Sequence, residues 1–160
     1  MTTLYIIRHG IAAERGAYPS DGDRPLTEKG QQRTRQVAER LAEKMHVELI
    51  LTSPLTRAQQ TAEILLEAGV GDRLQVSADL APEGELQQWL SWLSAWPGEA
   101  IAIVGHQPNL SAWAEALLWG QVRGGLEVKK ASVLALTLPN EGSPVGRSQL
   151  FWLAPPRLLL

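Results

Sequence analysis

The chain predicts an α/β fold, a three-layer α/β/α sandwich with helices on both faces of a mainly parallel central sheet. Two observations carry this. Short, continuously apolar runs recur at 4–7, 49–51 and 101–104, the pattern of strands buried on both faces. Between them lie longer segments whose apolar residues repeat at helical spacing. The 160 residues suit one domain spanning 1–160, long enough to bury a proper core.

Each element follows in order. Residues 3–8 read as the first strand. Residues 11–26 hold Gly16, Pro19, Gly22 and Pro25 among mixed charges and read as a loop. Thr27 is placed to cap a helix over 28–45, with Val37, Leu41 and Met45 as its buried stripe. Leu49-Ile50-Leu51 is a second strand. Ser53-Pro54 has the form of an N-cap followed by the first helical residue, opening a helix that ends near Gly69. Residues 74–77 form a short strand. Leu86, Trp89, Leu90, Leu93 and Trp96 mark a helix that Pro97-Gly98 stops, with Trp92 off its main stripe. Residues 100–104 are the next buried strand. Pro108 or Asn109 opens a helix to 119, with Leu110, Trp113, Ala114, Leu117 and Leu118 on one face. Residues 120–130 form a Gly-rich, locally basic loop. Residues 131–138 and 147–153 read as two strands joined as a hairpin through Pro139-Asn140-Glu141-Gly142. The tail Ala154-Pro155-Pro156-Arg157 is expected to fray.

Composition narrows the function classes. A net charge of -2 gives no reason to expect nucleic acid or an anionic membrane surface as a partner. The chain has no cysteine, which excludes disulfides, thiolate catalysis and Cys-ligated zinc. No apolar run approaches the ~18 residues that span a bilayer. The N-terminus lacks a basic segment followed by an apolar one, so the expected location is the cytoplasm.

The chemistry lies at strand ends. Arg8-His9-Gly10 follows the first strand, and Gly105-His106 follows the run 101–104. Each glycine lets the backbone turn or another group approach closely. In open α/β sheets, sites form at the carboxyl ends of strands, where Arg8, His9, the 53–57 segment and His106 all fall. Arg57 sits in the first turn of its helix, where a cation opposes the helix dipole unless an anion is bound. Pairing with Glu63 is its bland alternative. Arginine forks suit phosphate or carboxylate, and a neutral histidine is a competent nucleophile toward phosphorus. A second, protonated histidine is suited to the phosphoryl oxygens. Positioning and charge stabilisation of this kind serve phosphoryl transfer without a metal.

Four segments carry a family resemblance: 4–10 (LYIIRHG), 24–30 (RPLTEKG), 52–62 (TSPLTRAQQTA) and 104–110 (VGHQPNL). In this order they resemble the signature segments of the histidine phosphatase superfamily, the group that contains the phosphoglycerate mutases. The short chain resembles its small bacterial branch, the SixA-type phosphohistidine phosphatases. The resemblance implies a phosphoglycerate mutase-like fold and a phosphatase that needs no metal and no cofactor. His9 is implied as the nucleophile that becomes phosphorylated. Arg8, Arg57 and His106 are implied as catalytic phosphoryl ligands, and Arg24 as a further substrate contact.

One departure bears on substrate. Larger members carry a carboxylate general acid after the second helix, where this chain has Leu80-Ala81-Pro82-Glu83-Gly84-Glu85. Glu83 matches poorly. An alkoxide leaving group needs proton donation, whereas an imidazole leaving from phosphohistidine needs less. The expected substrate is therefore phosphohistidine in a protein, a phosphohistidine domain, with a role in signal transduction. The alternatives are small phosphomonoesters and a non-catalytic phosphate-binding module. Arg123, Lys129 and Lys130 form either a steering patch or a solvated loop. His46 is expected at the surface without a role.

Overall fold

The computed structural model describes residues 1–160. Ten elements follow along the chain: β1 (Thr2–Arg8), α1 (Glu28–Ala42), β2 (Val47–Thr52), α2 (Thr56–Glu67), β3 (Gly71–Val76), α3 (Leu86–Ala95), β4 (Ala100–Gly105), α4 (Asn109–Trp119), β5 (Val133–Leu138) and β6 (Gln149–Ala154). The six strands form one sheet in the order β3-β2-β4-β1-β5-β6. The pairs β3-β2, β2-β4 and β4-β1 are parallel, while β5 runs antiparallel to both neighbours.

Strand alternation builds the layers. Leu4 and Ile6 of β1, Leu49 and Leu51 of β2, and Ile101 and Ile103 of β4 face one side, with Trp89 of α3 and Leu110, Trp113 and Leu117 of α4. Ile7, Ile50, Ala102 and Val104 face the other, against Val37, Ala38 and Leu41 of α1 and Ala58, Ala62 and Leu65 of α2. The central strands are buried on both faces because helices cover both. Each fully buried Leu or Ile contributes about 1.5–3 kcal/mol of transfer free energy. Trp89 stacks on Trp113 at a centroid distance of 5.7 Å, tying α3 to α4.

Several boundaries differ from the sequence reading, each for a local reason. Thr27 does cap α1, its hydroxyl accepting from Gly30 N at 2.9 Å. The helix ends at Ala42, and Met45 reaches the same core from the following turn. Ser53 is not the N-cap of α2. Leu55 holds that place, and the Ser53 hydroxyl turns inward. β3 extends over Gly71–Val76, an edge strand whose mostly exposed residues leave no apolar alternation to read. Ala131 lies outside β5. It has a left-handed φ of 61°, and its N–H reaches the carbonyls of Arg8 and His9. The β5-β6 pair is antiparallel as expected, but residues 139–148 make a longer connection than a tight turn. The tail does not fray completely: Leu159 is buried in the core beneath α1 and α2.

Crossovers rather than chain order place the site. β4 inserts between β1 and β2, so the carboxyl ends of three strands meet. Open parallel sheets form crevices at such points of reversal.

Candidate active site

The parallel register of β1 and β4 sets Arg8 opposite Gly105. One residue further on, His9 and His106 stand side by side, ring centroids 5.2 Å apart. The close approach of the next segment to α1 requires glycine. A Cβ at Gly10 would collide with Thr34 Oγ1, and one at Gly30 with the carbonyl of Ile11.

His9 is buried, and its Nδ1 lies 2.7 Å from the carbonyl of Gly10. A carbonyl only accepts, so Nδ1 carries the proton and Nε2 keeps its lone pair. Burial drives the pKa of His9 down to about 3; the Gly10 carbonyl opposes this, and His106, Arg57 and Arg8 add to it. The ring is therefore neutral at physiological pH. His106 is also buried, and burial with Arg57 nearby lowers its pKa to about 4. The sequence suggests a protonated second histidine, whereas burial favours a neutral His106 ring. Its Nε2 lies 2.7 Å from Ser53 Oγ.

Three arginines complete the cluster. Arg8 donates from Nη1 to the carbonyl of Val128 at 2.9 Å. Arg57, in the first turn of α2, does not pair with Glu63; it donates to the backbone and carboxylate of Asp21 at 2.9 and 3.1 Å. Arg24 donates from Nε to the same carboxylate at 2.8 Å and from Nη1 to Ala13 O at 2.6 Å. Burial raises the pKa of Asp21, but hydrogen bonding to Arg24 and the charge of Arg57 outweigh it, and the carboxyl sits below its usual range.

A cavity of about 290 Å³ brings together Arg8, His9, Arg24, Arg57 and His106, with Arg15, Lys130 and one carboxylate, Glu14. Three buried nitrogens of this cluster, Arg8 Nε, Arg57 Nε and His106 Nδ1, have no partner. Glu83 is exposed and does not line the cavity. Its segment is held elsewhere, by Asn109 Nδ2 donating to the carbonyl of Pro82 at 3.1 Å. His46 is exposed and pairs with Asp72 at 2.8 Å. No three His, Asp or Glu side chains cluster in a way that holds a metal ion.

Sequence reading missed Asp21 and Glu14, loop carboxylates with no periodic pattern around them, and the inward role of Ser53. The 120–130 loop divides. Lys130 lines the cavity, while Arg123 stacks over Trp119 at 5.7 Å. The loop is anchored by buried Glu115, which accepts from the N–H groups of Arg123, Gly124 and Gly125.

A sheet with paired histidines and clustered arginines at its central strand ends defines an α/β protein built around a cation-lined cavity. Residues 4–83 match the profile of the histidine phosphatase superfamily (branch 1), and the chain belongs to that family. It is 36% identical over 148 residues to the phosphohistidine phosphatase SixA of Escherichia coli (strain K12), covering 88% of each chain. It is 53% identical over 137 residues to an uncharacterized protein of Picosynechococcus sp. (strain ATCC 27264 / PCC 7002 / PR-6), covering 83% of each. Among solved structures, the protein histidine phosphatase SixA complexed with tungstate superposes with a TM-score of 0.85 at 26% identity, over 99% of this chain and 100% of that one. No helix is long and apolar enough to cross a membrane.

Proposed function

We propose that this chain hydrolyses phosphohistidine carried on a protein, through a phosphoryl intermediate on His9. The observation that carries this reading is the convergence of His9 and His106 with Arg8, Arg15, Arg24, Arg57 and Lys130 on one cavity whose lining holds a single carboxylate, Glu14. A tetrahedral oxyanion accepts charge-assisted hydrogen bonds from such a set of cations. The likeness to a SixA structure solved with tungstate, itself a tetrahedral oxyanion, supports the same ligand chemistry.

The reaction has two in-line displacements. Nε2 of His9 attacks phosphorus as the P–N bond to the substrate imidazole breaks. Arg8 and Arg57 hold the phosphoryl oxygens, and His106 donates to them. Arg24 contributes a further contact through whatever donor Asp21 and Ala13 leave free. Solvent protonates the departing imidazole. Water then attacks phospho-His9, inorganic phosphate leaves, and His9 returns neutral. The lone pair at Nε2 supports turnover over mere phosphate recognition, because binding alone has no use for a nucleophile.

Glu83, standing outside the cavity, gives no support to an acid-assisted ester reaction. Glu14 favours a second reading, hydrolysis of small phosphomonoesters, because it alone offers a cavity-lining carboxylate for a leaving alkoxide. The test measures phosphate release, without added metal, from a phosphohistidine-bearing protein and from an aryl phosphate. Faster release from the protein, abolished in His9→Ala, is expected. A faster ester reaction overturns the substrate assignment, and full activity in His9→Ala overturns the mechanism.

A further inference from the structure

A second and larger cavity, of about 460 Å³, adjoins the catalytic one across the 127–132 segment. That segment is bound to the catalytic strand end. Val128 O receives Arg8 Nη1, Ser132 O receives the Arg8 N–H, and Ala131 N–H reaches the Arg8 and His9 carbonyls. Lys130 lines the catalytic cavity while Lys129 lines its neighbour, so the two hollows share one wall.

The second hollow is basic. Arg33 of α1, Lys129, and Arg157 beyond β6 line it, against the single carboxylate of Glu127. All three cations are exposed, and none forms an ion pair or a side-chain hydrogen bond within the protein. The chain as a whole carries a charge of -2, so this is a local excess of positive charge. Leu153 and Pro156 add apolar surface. Unpaired cations around an apolar floor suit a partner segment that brings carboxylates and some aliphatic surface. Complementary charge of this kind steers encounter and fixes register.

We infer that the hollow formed by Arg33, Lys129 and Arg157 docks an acidic segment of the substrate protein next to its phosphohistidine. This rests on the reading that the substrate is a phosphohistidine protein. The shared wall explains why docking there presents the phosphoryl group to His9. The lack of internal partners for the three cations leaves them free for the partner's carboxylates.

Two labelled peptides test this, each with a central histidine in place of phosphohistidine, one flanked by Glu and the other by Lys. Binding is followed by fluorescence anisotropy against the full chain and the double variant Arg33→Glu/Arg157→Glu. The full chain should bind the Glu-flanked peptide ~10-fold more tightly, with the difference shrinking as salt rises. The double variant should lose or reverse this preference while still binding inorganic phosphate, which reports an intact catalytic cavity. Equal binding of the two peptides, or a preference that survives the double variant, overturns the inference. The phosphorylated versions of the peptides give a separate readout. Selective binding with no phosphate release supports the docking site and overturns the phosphohistidine reading.

Discussion

The hydroxyl of Ser53 stands 2.7 Å from Nε2 of His106, with both side chains buried. Ser53 Oγ also accepts from the N–H of Leu55 at 3.2 Å, so one hydroxyl ties the His106 ring to the start of α2. Ser53 is thereby the residue that holds the orientation of the His106 ring. Ser53→Ala should lower kcat by about tenfold or more, the effect of losing a group that orients a functional imidazole. Nitrogen NMR should show the His106 ring resonances changed in Ser53→Ala, and Ser53→Thr should restore both rate and resonances. Unchanged His106 resonances with a full rate in Ser53→Ala defeat this account.

Asp21 pairs with both Arg24 and Arg57, the guanidinium groups proposed to contact the phosphoryl oxygens. Asp21→Ala frees both guanidinium groups and removes one negative charge. Inorganic phosphate should bind about tenfold more tightly, a change of ~1.4 kcal/mol. Phosphate should also raise the melting temperature of the variant more than that of the parent. Calorimetric titration that finds weaker phosphate binding shows instead that Asp21 mainly holds the arginines in place.

Both site histidines are held neutral by burial, with pKa values of about 3 and about 4 against an ordinary value of 6.5. Between pH 6.5 and about 4 the unfolded chain takes up protons that the folded chain refuses. Stability attributable to these groups is full above pH 6.5 and falls on acidification. Well below pH 6.5 the slope is ~1.4 kcal/mol per pH unit for each histidine. Urea midpoints at pH 7 and pH 4.5 should differ more for the parent than for His9→Gln/His106→Gln. Equal losses in the two proteins mean the histidines are not buried neutral.

The two glutamates separate by position. Glu83→Gln should leave hydrolysis of both substrate types unchanged, because the carboxyl is exposed and outside the cavity. Glu14→Gln should slow aryl phosphate hydrolysis and spare phosphohistidine hydrolysis, since only the alkoxide requires a proton in the transition state. Steady-state rates for the two single variants settle the comparison. A slowed ester reaction in Glu83→Gln points to a loop rearrangement that brings its carboxyl to the cavity.

Local pattern was enough for much of this protein. Residues 4–7 and 101–104 are apolar without interruption because helices cover both sheet faces. Val37 and Leu41, or Leu86 and Leu90, mark helices because the 3.6-residue period is a property of the local backbone. The strand-end positions of His9 and His106 followed from the same elements. Residues whose partners lie far along the chain were not legible. Ser53 reads as a helix cap until the β2-β4 pairing brings His106 to its hydroxyl, and Asp21 is one polar loop residue among several until it meets Arg24 and Arg57.

The amino-acid sequence by itself determined the elements, their burial and the residue types available for phosphoryl chemistry. Tertiary structure decided the insertion of β4 between β1 and β2, the neutral state of both histidines and the partner of each arginine. It also decided that Lys129 and Lys130 face different hollows. The division has one physical cause. Periodicity and capping are local, whereas desolvation, ion pairing and cavity shape depend on groups that only the folded chain brings within a few ångströms.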